Sequence, residues 1–84
     1  MKVVYLARLR EAFGRAEERL SLSEPEGHTV ADVIGVLRAR GGVWATELAA
    51  GRAFRVAVNH AMASPETAVR AGDEIAVFPP VTGG

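Results

Sequence analysis

The chain of 84 residues has no cysteine. A disulfide framework, a thiolate nucleophile and a thiolate metal site are thereby excluded. Nor does one sign of charge dominate: ten Lys and Arg balance ten Asp and Glu, and the net charge is zero. With no basic stripe to meet a phosphate backbone, nucleic acid is not an expected partner. No apolar run is long enough to span a bilayer or to form the centre of a signal peptide, and Lys2 is soon followed by Arg8, Arg10 and Glu11. A cytoplasmic protein without a membrane partner is the expectation. Phosphate-binding loops are missing too. Arg40-Gly41-Gly42 comes after a helical pattern instead of before one, and the Gly-Lys-Ser/Thr ending is lacking. Ser21, Ser23 and Ser64 have no G-x-S-x-G setting. His28 and His60 have no ligand set at metal spacing, so a structural or solvent role is expected of each. Glu17-Glu18 and Glu24 with Glu26 read as solvated charge pairs and not as acid/base dyads.

What is present is enough for one small domain: 49% of the residues are hydrophobic, too many for a disordered chain. Val3 to Ala7 is short, β-branched and aromatic, a strand pattern. Arg8 to Phe13 follows as one or two turns of helix stopped by Gly14. Glu17 to Leu22 reads as the second strand of a hairpin, and Glu24-Pro25-Glu26-Gly27 as a loop. The clearest helix starts at Thr29, with Asp32 three residues on. Val30, Val33, Ile34 and Leu37 then repeat at i, i+3, i+4, i+7, and Gly41-Gly42 ends the pattern. Val43 to Leu48 is expected to be a second, short helix. Phe54 to Val58 and Glu74 to Phe78 read as strands, with turns at Asn59-His60, Ser64-Pro65-Glu66 and Ala71-Gly72-Asp73. Two hairpins flanking a helix predict an α+β sheet with the first and last strands central and adjacent.

The sequence closes on Phe78-Pro79-Pro80-Val81-Thr82-Gly83-Gly84. Two prolines cannot donate to a ladder and hold the backbone extended. Val81 to Gly84 would reach roughly 13 Å beyond them at about 3.3 Å per residue. Residues 1–80 are therefore read as the folded domain and 81–84 as an extended, flexible tail able to enter a narrow channel in a partner. The carboxylate of Gly84 is the expected reactive group. A carboxylate ionised at neutral pH is a poor electrophile, so it must be activated, most simply as an adenylate. No ATP site is visible, so ATP would be used by a partner while this chain binds no cofactor and no metal. The opposing reading is a frayed chain end with no chemistry.

Strand parity places Val3 and Tyr5 on one face and Val4 and Leu6 on the other, with Ile75 and Val77 opposed to Ala76 and Phe78. If the helix covers the Tyr5 face, Leu6 and Phe78 look away from it. Met62 can join them in an apolar docking patch.

The arrangement resembles the ubiquitin-like β-grasp sulfur carriers, and among them the small subunits of molybdopterin synthase. Lys2-Val3, Ala7 and Arg10-Glu11 carry the likeness early, Ala57-Val58-Asn59 in the middle, and Gly72-Asp73-Glu74 running into the terminal Phe78 to Gly84 string at the end. The resemblance implies a β-grasp fold, a mixed sheet of four to five strands with one main helix packed on one face and a C-terminal Gly-Gly tail. It implies a non-catalytic sulfur-donor subunit. An adenylating enzyme like those that activate ubiquitin would adenylate Gly84, which would then become a thiocarboxylate. The sulfur would pass to cyclic pyranopterin monophosphate in a large synthase subunit that supplies the catalytic side chains, the two subunits forming a heterotetramer. Leu6, Met62 and Phe78 stand where the family places apolar partner-facing residues, and Pro79, Pro80, Val81, Thr82 and Gly83 where it places the inserted tail. Sulfur carriage for thiamine or tRNA thiolation, a lysine-conjugated modifier, and a non-covalent β-grasp binding module are the alternatives.

Overall fold

The computed structural model describes residues 1–22, 28–49, 51 and 53–80. The expected loop at 24–27 and the tail at 81–84 lie outside the described residues. In chain order the elements are β1 (Lys2–Tyr5), α1 (Ala7–Phe13), β2 (Glu17–Arg19), β3 (His28–Thr29), α2 (Val30–Arg38), α3 (Gly42–Glu47), β4 (Arg55–Val58), β5 (Ala61–Met62), β6 (Ala68–Val69) and β7 (Glu74–Phe78).

Five strands form one mixed sheet in the order β2-β1-β7-β4-β5, and β3 pairs with β6 apart from it. The first and last strands lie side by side, with Lys2 opposite Glu74 and Tyr5 opposite Val77 in parallel register. Every other pairing in the sheet is antiparallel. A parallel pair cannot be closed by a tight turn. The rest of the chain, helices included, is the crossover between β1 and β7.

Alternation in β1 and β7 sends Val3, Tyr5, Ile75 and Val77 to one face, where all four are fully buried. The helices cover that face. Leu9 and Phe13 of α1 and Val30, Val33, Ile34 and Leu37 of α2 join the same core, as does Leu48 at the end of α3. The four-residue apolar stripe of α2 is thus the side that packs. Its start is fixed by a capping box: the Asp32 N–H donates to Thr29 Oγ1 at 3.4 Å, and the Thr29 N–H donates to Asp32 Oδ2 at 2.8 Å.

Gly14 ends α1 in the left-handed region at φ 70°, its N–H reaching the carbonyls of Arg10 and Glu11. The other helix end departs from expectation. α2 is closed by Ala39 in right-handed geometry, and Gly41 and Gly42, at φ 77° and 54°, instead launch α3. Both have positive φ, a backbone that glycine adopts without steric cost. The expected turns at Asn59-His60, Ser64-Pro65-Glu66 and Ala71-Gly72-Asp73 are present. Asn59 and His60 both have positive φ, 50° and 69°, which matches the twist of a two-residue hairpin loop.

Candidate functional site

No described helix lies on the other face of the sheet. Cross-strand registers lay it out in rows. Glu17, Val4, Ala76, Ala57 and Met62 face one another across all five strands. Two residues further along β7, Phe78 lies opposite Arg55. Leu6 continues β1 beside it, held by its N–H donating to the Val77 carbonyl at 3.1 Å. Leu6 and Met62 are 44% and 65% exposed, the marks of apolar side chains left without a cover, and Phe78 is half-buried. Ala57 is buried although it stands on this face, hemmed in by its register neighbours Ala76 and Met62. The three residues singled out as a docking patch therefore share one open apolar face.

Local backbone explains how Leu6 gets there. Ala7 has φ 52°, a left-handed conformation that a residue with a Cβ adopts at a cost of about 1 kcal/mol. The turn lets the chain leave β1 and enter α1 at once, with Leu6 at the junction.

The chain leaves the sheet at Pro79 and Pro80, both half-buried. They line an open depression of about 420 Å³ together with Arg8, Gly51 and Ala53. The Arg8 guanidinium is ion-paired with Glu47 of α3. Val81, Thr82, Gly83 and Gly84 lie outside the described residues. The tail's root therefore emerges one row from the apolar strip, at the end of a central strand.

Behind the sheet, sequence reasoning missed a polar cluster. Glu18, expected to be solvated, points to the covered side, because its β2 neighbours Glu17 and Arg19 take the open face. The Tyr5 hydroxyl donates to Glu18 Oε2 at 2.6 Å. Arg40 donates to both carboxylate oxygens, at 2.8 and 2.7 Å, and Arg15 lies 3.3 Å away. The bonds from Arg40, with those from Tyr5 and the charge of Arg15, hold the Glu18 carboxyl below the usual carboxylate range. Burial, reinforced by the Glu18 charge, pushes the Tyr5 phenol well above its ordinary value. Arg40 also stacks 4.5 Å over Trp44, which lies parallel to Phe13 at 3.9 Å. This cluster shapes the fold and offers no open site. Glu17 behaves as expected, exposed and 3.5 Å from Lys2.

Two motifs far apart in sequence also meet. Asn59 Nδ2 donates to Asp73 Oδ1 at 3.0 Å, while the Glu74 N–H donates to Asn59 Oδ1 at 3.0 Å. The Asn59 amide and the Arg70 N–H together hold the Asp73 carboxyl below its usual range. The clamp fixes where β7 begins and hence where it ends. Asp32 lies 3.9 Å from His28 and Glu74 lies 3.5 Å from His60, proximities not read from the sequence. Among the described residues no three His, Asp or Glu side chains converge on a common point. Among them, too, no helix is long and apolar enough to cross a membrane.

Residues 3–84 match the model of the ThiS family. The molybdopterin synthase sulfur carrier subunit of Haemophilus influenzae is 39% identical over 84 residues, covering 100% of this chain and 99% of that protein. The protein of the same description from Escherichia coli is 34% identical over 84 residues, with the same coverage of both. Among solved structures, SAMP1 from Haloferax volcanii superposes with a TM-score of 0.82 at 28% identity, covering 100% of this chain and 98% of that one.

Proposed function

The chain belongs to the ThiS family, and we propose that within it this protein is the sulfur-carrier subunit of a molybdopterin synthase. The observation that carries the reading is the open apolar face of Leu6, Met62 and Phe78 set beside the point where Pro79 and Pro80 lead the chain out of the sheet. Full-length similarity to two proteins described as sulfur carrier subunits supports it.

In this reading the Gly84 carboxylate attacks the α-phosphorus of ATP in an activating partner, releasing pyrophosphate and leaving an acyl adenylate. A sulfur nucleophile supplied by a donor then displaces AMP and leaves a thiocarboxylate. The open face docks on the large synthase subunit while Val81 to Gly84 enter its channel. There the sulfur passes to cyclic pyranopterin monophosphate. Two loaded carriers serve one product, since the dithiolene needs two sulfurs. Gly83 and Gly84 suit the task because neither has a Cβ to obstruct the narrow passage or the attacking group. The carrier contributes binding and delivery; the chemistry of the pterin belongs to the large subunit.

Reconstitution tests the reading. Thiocarboxylated chain added to the large subunit and cyclic pyranopterin monophosphate should yield molybdopterin, and chain lacking Gly84 should yield none. A second reading draws on the likeness to SAMP1, described in two further solved structures as a small archaeal modifier protein. The same activated glycine would then end in an isopeptide bond to a lysine. Recovery of the chain covalently joined to other proteins, with no product in the reconstituted synthase, would favour that outcome.

A further inference from the structure

The open face of the sheet is not electrically neutral, although the chain is. Registers place Lys2, Arg19 and Arg55 on it against the carboxylates Glu17 and Glu74. Glu17 pairs with Lys2, and Glu74 lies across from Lys2 and 3.5 Å from His60. Arg19 and Arg55 are both exposed and have no ion-pair partner among the described residues. Off this face Arg8 pairs with Glu47, Arg15 and Arg40 with Glu18, and Arg38 with the Leu48 carbonyl, while Arg10 and Arg70 are exposed and, like Arg19 and Arg55, without an ion-pair partner among the described residues.

On this face the two unpaired cations stand at diagonal corners. Arg19 lies on the edge strand β2, in the row of Lys2 and Glu74; Arg55 lies on β4, in the row of Phe78. Three strand spacings of about 4.8 Å and four residues of about 3.3 Å put their Cα atoms roughly 20 Å apart. That exceeds the Debye length of about 8 Å at physiological salt, so each acts as a separate point of attraction. The apolar row of Val4, Ala76 and Ala57 runs between them.

We propose that Arg19 and Arg55 are specificity determinants of docking. They select a partner surface that carries carboxylates at two points flanking an apolar centre. The apolar row supplies contact area without direction. Two fixed charges of one sign, one of them beside Phe78, set which way round the partner lies, and so align its channel with Pro79. Guanidinium groups suit this role because they hold a carboxylate with two parallel hydrogen bonds. A surface with cations at those points is repelled, which excludes wrong partners that share the apolar strip. The inference rests on the sulfur-carrier reading, which supplies the partner: the large subunit of molybdopterin synthase.

The test is charge reversal. Arg19→Glu, Arg55→Glu and the double variant are mixed with the purified large subunit, and association rates are measured from about 0.02 M to about 0.5 M salt. Each single reversal should slow association about tenfold at low salt and the double about a hundredfold, with the differences shrinking to within about twofold at high salt. Arg70→Glu, on the segment after β6 and outside the open face, should associate like the wild type. Wild-type rates for the reversed variants would overturn the proposal, as would a loss that does not change with salt. If the wild-type chain itself fails to bind the large subunit, the inference falls together with the reading beneath it. Thiocarboxylate formation on the same samples then shows whether sulfur carriage itself survives.

Discussion

The Tyr5 hydroxyl, buried on the covered face of β1, donates to Glu18 Oε2 of the neighbouring strand at 2.6 Å, and Arg40 closes the same carboxylate from the far side. One central strand is thereby tied to its edge strand and to the segment after α2. Glu18 is the hub, so Glu18→Gln should cost about 2 kcal/mol at neutral pH by removing the charge that Arg40 and Tyr5 satisfy. The sign of the pH dependence follows from its lowered folded-state value. A depressed carboxyl contributes stability above its unfolded value, and that contribution is lost as pH falls through the folded one. Denaturant unfolding across the acid range should show the wild type losing its advantage over Glu18→Gln as the carboxylate protonates. Parallel curves at all pH values would place the hub's energy elsewhere.

Tyr5 is the sole tyrosine, which makes its phenolate absorbance a clean signal. Burial and Glu18 raise its folded value, so the neutral phenol contributes stability below the ordinary value of about 10 and loses it as pH rises towards the folded one. The phenolate band should appear only well above pH 10, and at lower pH in Glu18→Gln. A wild-type midpoint near the ordinary value would contradict the buried, hydrogen-bonded placement.

Phe78→Ala should cost the fold only about 1–2 kcal/mol, because Phe78 lies half-buried on the open face. Binding to the large synthase subunit should weaken about tenfold or more, as expected for an aromatic anchor of an interface. Titration calorimetry with the purified large subunit reads this directly. Unchanged affinity would remove Phe78 from the docking patch.

Thr29→Ala removes one half of the capping box and should lower stability by about 1 kcal/mol without affecting sulfur transfer. Thermal melts and a transfer assay on the same variant separate scaffold from function. A transfer defect larger than the loss of folded protein would show that α2 also takes part in the reaction.

Much of the architecture could be read from local pattern. The stripe of α2, its Thr29 cap and the last strand follow from periodicity and turn chemistry within short windows, and the Val and Ile of the first and last strands mark the two as central neighbours. So did the open face, since strand parity alone puts Leu6 and Phe78 opposite Tyr5 and Val77. What escaped was non-local or too short. Glu18 finds Arg40 22 residues away, and nothing in Glu17-Glu18 tells which carboxylate points to solvent until β2 is in register with β1. The Asn59–Asp73 clamp joins segments 14 residues apart, and β3 and β6 have two residues each, too few for any alternation to register. Ala7 at positive φ has no sequence signal at all, because alanine does not announce a left-handed turn.

If Gly84 carries the sulfur, the intact mass of this chain after incubation with its activating enzyme, ATP and a sulfur source reports it directly. One oxygen should be replaced by sulfur in the full chain, with no change in a variant lacking Gly84 and identical melting of the two. An unchanged mass in the presence of a demonstrably active activating enzyme would contradict sulfur carriage at Gly84 and leave the open face as a docking surface without covalent chemistry.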